Sequence, residues 1–257
     1  MQRKCKELKR IARENLENKY SIPMRAYLLS VCIIMLAEMP FSSLQTTQAL
    51  STQNMILYIA ELLISVVAIV FTCGQYRIHF SMAKGENPNL KDLYYPIKNH
   101  PDRYILGQLL YLGIMLLAFL PLVPAYALIE FANGKVVLFA IPLCILSCIL
   151  VILVAMNFDL VFLVLLDNED LSIIEGFKKC RSIMKGNKGR YFYIQLSFLG
   201  MHLLTILSLG VAILWVQPYM TQTITAFYLD ISGQLDVIEN NKKAPKPEPN
   251  YHFDKYI

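Results

Sequence analysis

The sequence predicts an all-α polytopic membrane helix bundle, with six transmembrane helices, both termini cytoplasmic, and amphipathic helices on the cytoplasmic surface. Three observations carry that prediction. Of the 257 residues 56% are hydrophobic and 17% charged, where a soluble domain carries about a quarter charged. The charges fall in blocks separated by apolar runs long enough to cross a bilayer. The cations also alternate between connections. Eight Lys and Arg lie between Arg3 and Arg25, five between Arg77 and Arg103, six between Lys178 and Arg190, and four between Lys242 and Lys255, leaving only Lys135 elsewhere. A positive-inside bias produces that alternation when both ends share the inner face. The same placement favours anionic headgroups over nucleic acid as the partner of the basic blocks.

Residues 3–19 form a basic amphipathic helix, with Cys5, Leu8, Ile11, Ala12 and Leu16 on one stripe and Lys6, Lys9, Arg10 and Arg13 opposite. It is expected to lie on the inner leaflet, within an N-terminal unit 1–25. The basic region is long and no small-residue cleavage site follows, so the next apolar run reads as a retained span and not as a signal peptide. The membrane unit is 26–232. Span one is 26–41, followed by an uncharged outer connection at 42–54. Span two is 55–73 and carries Glu61. A cytoplasmic connection at 74–104 has a turn-rich centre, GENPNL.

Span three, 105–131, should kink at Pro121 and Pro124, because proline has no backbone N–H to give. Residues 132–135 turn it into span four, 136–166. At about 1.5 Å per residue that span is too long for a bilayer, so it must tilt or project inward. Asn157 and Asp159 interrupt it near the inner boundary. Ser172 and Glu175 then make a capping box ahead of an apolar stripe of Ile173, Phe177, Cys180 and Met184, with Gly186 as the stop. This surface helix, 172–185, is expected either to rest in the inner leaflet or to dock a cytosolic subunit through Phe177 and Met184.

Residues 191–229 contain no Asp, Glu, Lys or Arg. At about 1.5 Å per residue they reach about 58 Å, nearly twice the ~30 Å of a hydrocarbon core, so they read as spans five and six. The reversal falls between Gly210 and Pro218, with Pro218 in the first turn of span six. The tail, 233–257, is polar and rich in Lys and Pro, and is expected to be disordered in the cytoplasm.

Little in the chain points to catalysis. There is no P-loop, G-x-S-x-G, H-E-x-x-H or paired C-x-x-C. The four histidines are scattered, and Cys144 and Cys148 have no third ligand, so neither a metal, a cofactor nor a catalytic residue is assigned. The informative residues are ionisable groups within spans. Glu61 and His202 each lie about 17 Å from the inner end of their spans, which allows a proton-linked pair inside the bundle. Asp159 is shallower and reaches the inner interface.

The residues after Ser182 resemble a bacterial integral membrane family catalogued as a domain of unknown function, number nine hundred and seventy-five. The resemblance rests on Ser182, Met184-Lys185-Gly186 with Lys188, Leu196-Ser197-Phe198 with Gly200, Pro218-Tyr219 and Phe227-Tyr228. Looser matches are 84–95 and 11–20. Met201 departs from the pattern, which more often places Trp after the glycine. The family is similar in plan to the membrane portion beside some glycerophosphodiester phosphodiesterases, and it implies architecture without an established activity.

Three functions stay open at this point. The first is a non-enzymatic plasma-membrane protein that assembles with another membrane protein or a cytosolic subunit. The second is a permease or transporter subunit with substrate passing near Glu61, Tyr111 and His202. The third is a lipid-processing enzyme, which would need carboxylates converging around Asp159.

Overall fold

The computed structural model describes residues 3–42, 44, 52–131 and 134–243, and the secondary structure among them is helical, with no strand. Most of the connection expected at 42–54, the start of the turn at 132–135 and the tail after Lys243 lie outside the described residues.

The chain opens with α1 (Cys5–Leu16) and continues into α2 (Ser21–Ser42) and α3 (Thr52–Ala83). A 3-10 turn at Leu90–Tyr94 and the short α4 (Tyr95–Lys98) lead to α5 (Pro101–Phe119) and α6 (Leu122–Phe131). The break between α5 and α6 holds Pro121, as the proline rule requires. Next come α7 (Ala140–Phe158) and α8 (Val161–Asp167), separated at Asp159 and Leu160. Then follow α9 (Ile173–Met184), α10 (Lys188–Leu196), α11 (Leu199–Leu207), α12 (Ile213–Ile231) and α13 (Leu235–Lys243).

Four segments have the length and composition of membrane spans: Ser21–Phe41, Thr52–Ala83, Pro101–Phe119 and Val137–Asp167. The stretch read as spans five and six differs from expectation. Its first limb is two nine-residue helices broken at Ser197 and Phe198, and α12 starts at Ile213, so Pro218 sits inside the helix and not in its first turn.

The buried core gathers at one end of the bundle. It joins the last turns of α3 (Cys73, Phe80, Ala83) to all of α8, the inner stripe of α9, Tyr191 and Ile194 of α10, and Ile224 to Leu229 of α12. Away from this core the spans present apolar side chains outward, with Leu36 71% and Leu117 69% exposed. That is the pattern of a surface meant for lipid.

Two amphipathic helices go elsewhere than the sequence suggests. The α1 stripe is covered by α12, with Leu8, Ile11, Ala12 and Leu16 buried, so protein and not the inner leaflet takes it. Each Leu or Ile so buried contributes roughly 1.5–3 kcal/mol. α9 keeps its Ser172–Glu175 capping box and ends before Gly186 at φ +83°, both as expected. Its stripe, however, packs on α7 and α8. The tail expectation also needs correcting near its start: 235–243 is helix α13, seated through Leu235 and Ile238.

Candidate functional site

The densest polar site centres on Asp159, which caps the C-terminus of α7. Tyr111 of α5 donates its hydroxyl to Oδ1 at 3.0 Å, and Tyr191 of α10 donates to Oδ2 at 3.0 Å. Gln195 Nε2 in turn donates to the Tyr191 oxygen at 2.7 Å. One carboxylate therefore ties three helices, with each oxygen holding a phenol. The two phenols fix the orientation of the carboxylate, and each oxygen keeps further acceptor capacity. No second carboxylate bonds to this network among the described residues.

A second buried tie joins α3 to α12. His79 Nδ1 and Gln222 Oε1 are 2.6 Å apart, and Gln222 Nε2 reaches the His79 carbonyl at 3.4 Å. Sequence reading passed over this pair, since a lone His and a lone Gln 143 positions apart carry no local signal. Arg103 is a third tie. Its guanidinium donates to the carbonyls of Asn168 (2.6 Å), Leu171 (2.7 Å) and Glu169 (2.8 Å), in the connection that follows α8.

The charged cluster on the core's outer side binds the described chain ends together. Arg190 NH2 donates to Asp230 Oδ2 and to the Arg3 carbonyl, both at 2.5 Å. Arg3 pairs with Asp236 and, at 3.1 Å, with Glu239. Tyr228 and Gln234 both donate to Asp167 Oδ2, at 2.8 and 2.6 Å. Beside this cluster lies a cavity of about 580 Å³ lined by Arg3, Lys4, Lys6, Arg190 and Tyr193 among others.

Glu61 and His202 are not brought together. Glu61 lines a groove of about 560 Å³ with Met35, Leu36, Glu38 and Met39, on the flank where α2 meets α3. His202 is half-buried on α11, which packs against α12. The structure thus gives no joint cavity to Glu61, Tyr111 and His202 among those described.

Phe177 and Met184 are 5% and 0% exposed, so neither is available to dock a subunit or to enter a leaflet. They are buried because α9 folds back onto α8, leaving Ile174 and the lysines outward. Cys180 on the same stripe donates to the Asn157 carbonyl at 3.2 Å, and burial pushes its thiol up to about 12. The thiolate is the reactive form, so this cysteine stays inert at ordinary pH. Treating the folded protein with N-ethylmaleimide at pH 8 and mapping peptides should leave Cys180 unmodified, and denaturation should expose it. Modification of the folded chain would mean that α9 lifts away.

Most of the motif residues after Ser182 lie at turns or in packed positions, and Gly200 is in neither. The Ser182 carbonyl accepts from Lys185, closing α9, and Lys188 opens α10. Ser197 bonds back to the Ile194 carbonyl at 2.6 Å, and an added Cβ at Gly200 would meet nothing within 4 Å. Pro218 is buried inside α12. Tyr219 stacks edge-on with Phe198 at 5.3 Å, while Phe227 faces Tyr191 at 5.7 Å and the Arg190 guanidinium at 5.4 Å.

A family model described as "Protein of unknown function (DUF975)" matches residues 1–234. No curated protein and no solved structure matches.

Proposed function

We propose, for a chain that belongs to the DUF975 family over residues 1–234, a non-enzymatic role: a multi-pass membrane protein that assembles with a second membrane protein along the groove between α2 and α3. The observation that carries this reading is that Glu38 and Glu61 share an apolar groove on the flank of the bundle. Along that groove Met35, Leu36 and Met39 are 64%, 71% and 68% exposed. They offer adaptable apolar contact to a partner helix, with Glu38 and Glu61 along its path.

The described ends share one face, since Arg3 pairs with Asp236 and Glu239 and Lys242 bonds to Asn15. The clustering of Lys and Arg supports a cytoplasmic placement of that face in a cell membrane. The cavity lined by Arg3, Lys4, Lys6 and Arg190 supports contact with anionic headgroups there.

A photo-crosslinking residue at Met35 tests the assembly. In intact membranes it should give a discrete protein adduct, whereas the same probe at the outward-facing Leu117 should label lipid only. Glu61→Leu should lower the Met35 adduct several-fold at unchanged membrane level. Lipid adducts alone at Met35 would reject the reading.

A further inference from the structure

We propose that α10, α11 and α12 form a re-entrant hairpin. It enters the bilayer from the face that carries the described chain ends, turns within the hydrocarbon at 207–212, and returns to the same face. Acyl chains of that leaflet and of the bilayer centre cover its tip. This goes beyond the assembly reading and does not rest on it.

Three contacts set how far the hairpin reaches. On the outgoing limb, the Lys9 ammonium donates to the Ser197 carbonyl at 3.0 Å and sits 4.0 Å over the Phe198 ring. A charged lysine on a basic helix marks the edge of the hydrocarbon, so only α11 and the turn lie beyond it. From Ser197 to Leu209 a helical path is about 18 Å. On the return limb, the Tyr20 hydroxyl donates to the Trp215 carbonyl. Tyr20 directly precedes α2, whose Arg25 folds back to the Ser21 carbonyl at 3.0 Å, so Trp215 stands level with the start of a span. From Trp215 to Leu209 is about 9 Å.

The third contact is His79 with Gln222 at 2.6 Å, which sets α12 in register with α3. From there α3 runs about 40 Å to Thr52, while α12 and the turn run about 20 Å to Leu209. The hairpin therefore stops roughly 20 Å short of the far end of α3. The first two marks put the tip about 9–18 Å into a core of about 30 Å, and the third keeps it well short of the far end of α3. That is halfway, and too short to cross.

The turn itself is built for a dry surrounding. Every amide from Ser208 to Leu214 is satisfied inside the hairpin. Ser208 bonds to Leu204 (2.9 Å), Leu209 to Ile206 (3.1 Å), Gly210 to Thr205 (2.8 Å) and Val211 to Ser208 (3.2 Å). Ala212 takes the Ser208 hydroxyl at 2.9 Å, while Ile213 and Leu214 bond to Gly210 and Val211 at 3.1 and 3.3 Å. Pairing these donors lowers the cost of carrying the turn into hydrocarbon, where each unpaired polar group costs several kcal/mol.

The side chains agree with the backbone. Ile206, Leu207 and Leu209 are 70%, 81% and 94% exposed, in a stretch without one charge. Leu209 also holds φ +52°, where a water-facing turn would favour Gly or Asn. A leucine there is compensated when its side chain sits in lipid.

The chain has a single tryptophan, Trp215, so tip depth is measurable by fluorescence. The full-length Trp215→Phe/Leu209→Trp protein is placed in proteoliposomes containing phosphatidylcholine brominated either high or low on the acyl chain. Quenching is expected to be strongest with the deep bromines. Trp215→Phe/Leu207→Trp gives the same readout where an aromatic at positive φ lowers the yield. Strongest quenching by shallow bromines would put the tip at a headgroup layer and overturn the proposal, as a crossing hairpin requires. Absence of quenching would also overturn it, placing the tip in water or against protein.

Discussion

Gly74→Ala is expected to remove about 3 kcal/mol of stability, the top of the usual range for overpacking. An ideal Cβ on Gly74 would stand 2.0 Å from the Leu93 carbonyl oxygen, 2.7 Å from its carbon and 2.8 Å from its Cα. Backbone cannot rotate aside as a side-chain tip can. Leu93 is further held in the 3-10 turn by the Asn89–Asp92 capping box, in which Asn89 Oδ1 accepts from Lys91 N at 2.9 Å and Asp92 Oδ2 from Asn89 N at 3.1 Å. Either α3 or the turn must shift, and both border the core. A loss of about 3 kcal/mol changes the folded ratio by roughly a hundredfold, out of a total of about 5–15 kcal/mol. Thermal melts in detergent, with Gly113→Ala as the control, measure it. Nothing lies within 4 Å of a Cβ at Gly113, so that variant should melt at or above the parent temperature. Equal melting of the two variants would mean the turn is not seated on α3.

Arg190→Leu is expected to cost about 3–5 kcal/mol, because it strands a buried carboxylate. Asp230 has a side chain 5% exposed, and among the described residues its Arg190 contact is backed only by the Arg3 amide at 3.3 Å. The same guanidinium also holds the Arg3 carbonyl and Asn187 Oδ1, the latter at 3.0 Å, so its loss frees the start of α1 from α10. Arg190→Leu/Asp230→Leu should be clearly less damaging than the sum of the single changes, since the double variant leaves no unpaired charge. Denaturation of all four proteins closes the cycle. Additive effects would show that the pair is solvated and contributes little.

The two candidate sites differed in how far the sequence revealed them. Asp159 stood out as an ionisable group in an apolar run, but its partners did not. Tyr111 and Tyr191 lie 48 and 32 positions away, and nothing near either marks it as a donor to that carboxylate. Glu61 and His202 were paired on depth alone. Depth fixes a height along the bundle but not an azimuth, and α3 faces α2 and α12 while α11 rests on α12. The stripe of Phe177 and Met184 was identified correctly as apolar and then given to the wrong neighbour.

The sequence alone determined the all-helical class, the four long apolar segments, the break at Pro121, the Ser172–Glu175 cap and the positive φ of Gly186. Each of these depends on residues within a turn or two of one another, where propensity, periodicity and capping act. The tertiary structure decided what the apolar faces meet. α12 covers the α1 stripe, α8 takes α9, and the contacts at Lys9, Tyr20 and His79 give α10–α12 a measured reach. Hydrocarbon and protein interior are nearly equal as apolar surroundings, so a periodic stripe records that a face leaves water without recording which of the two receives it.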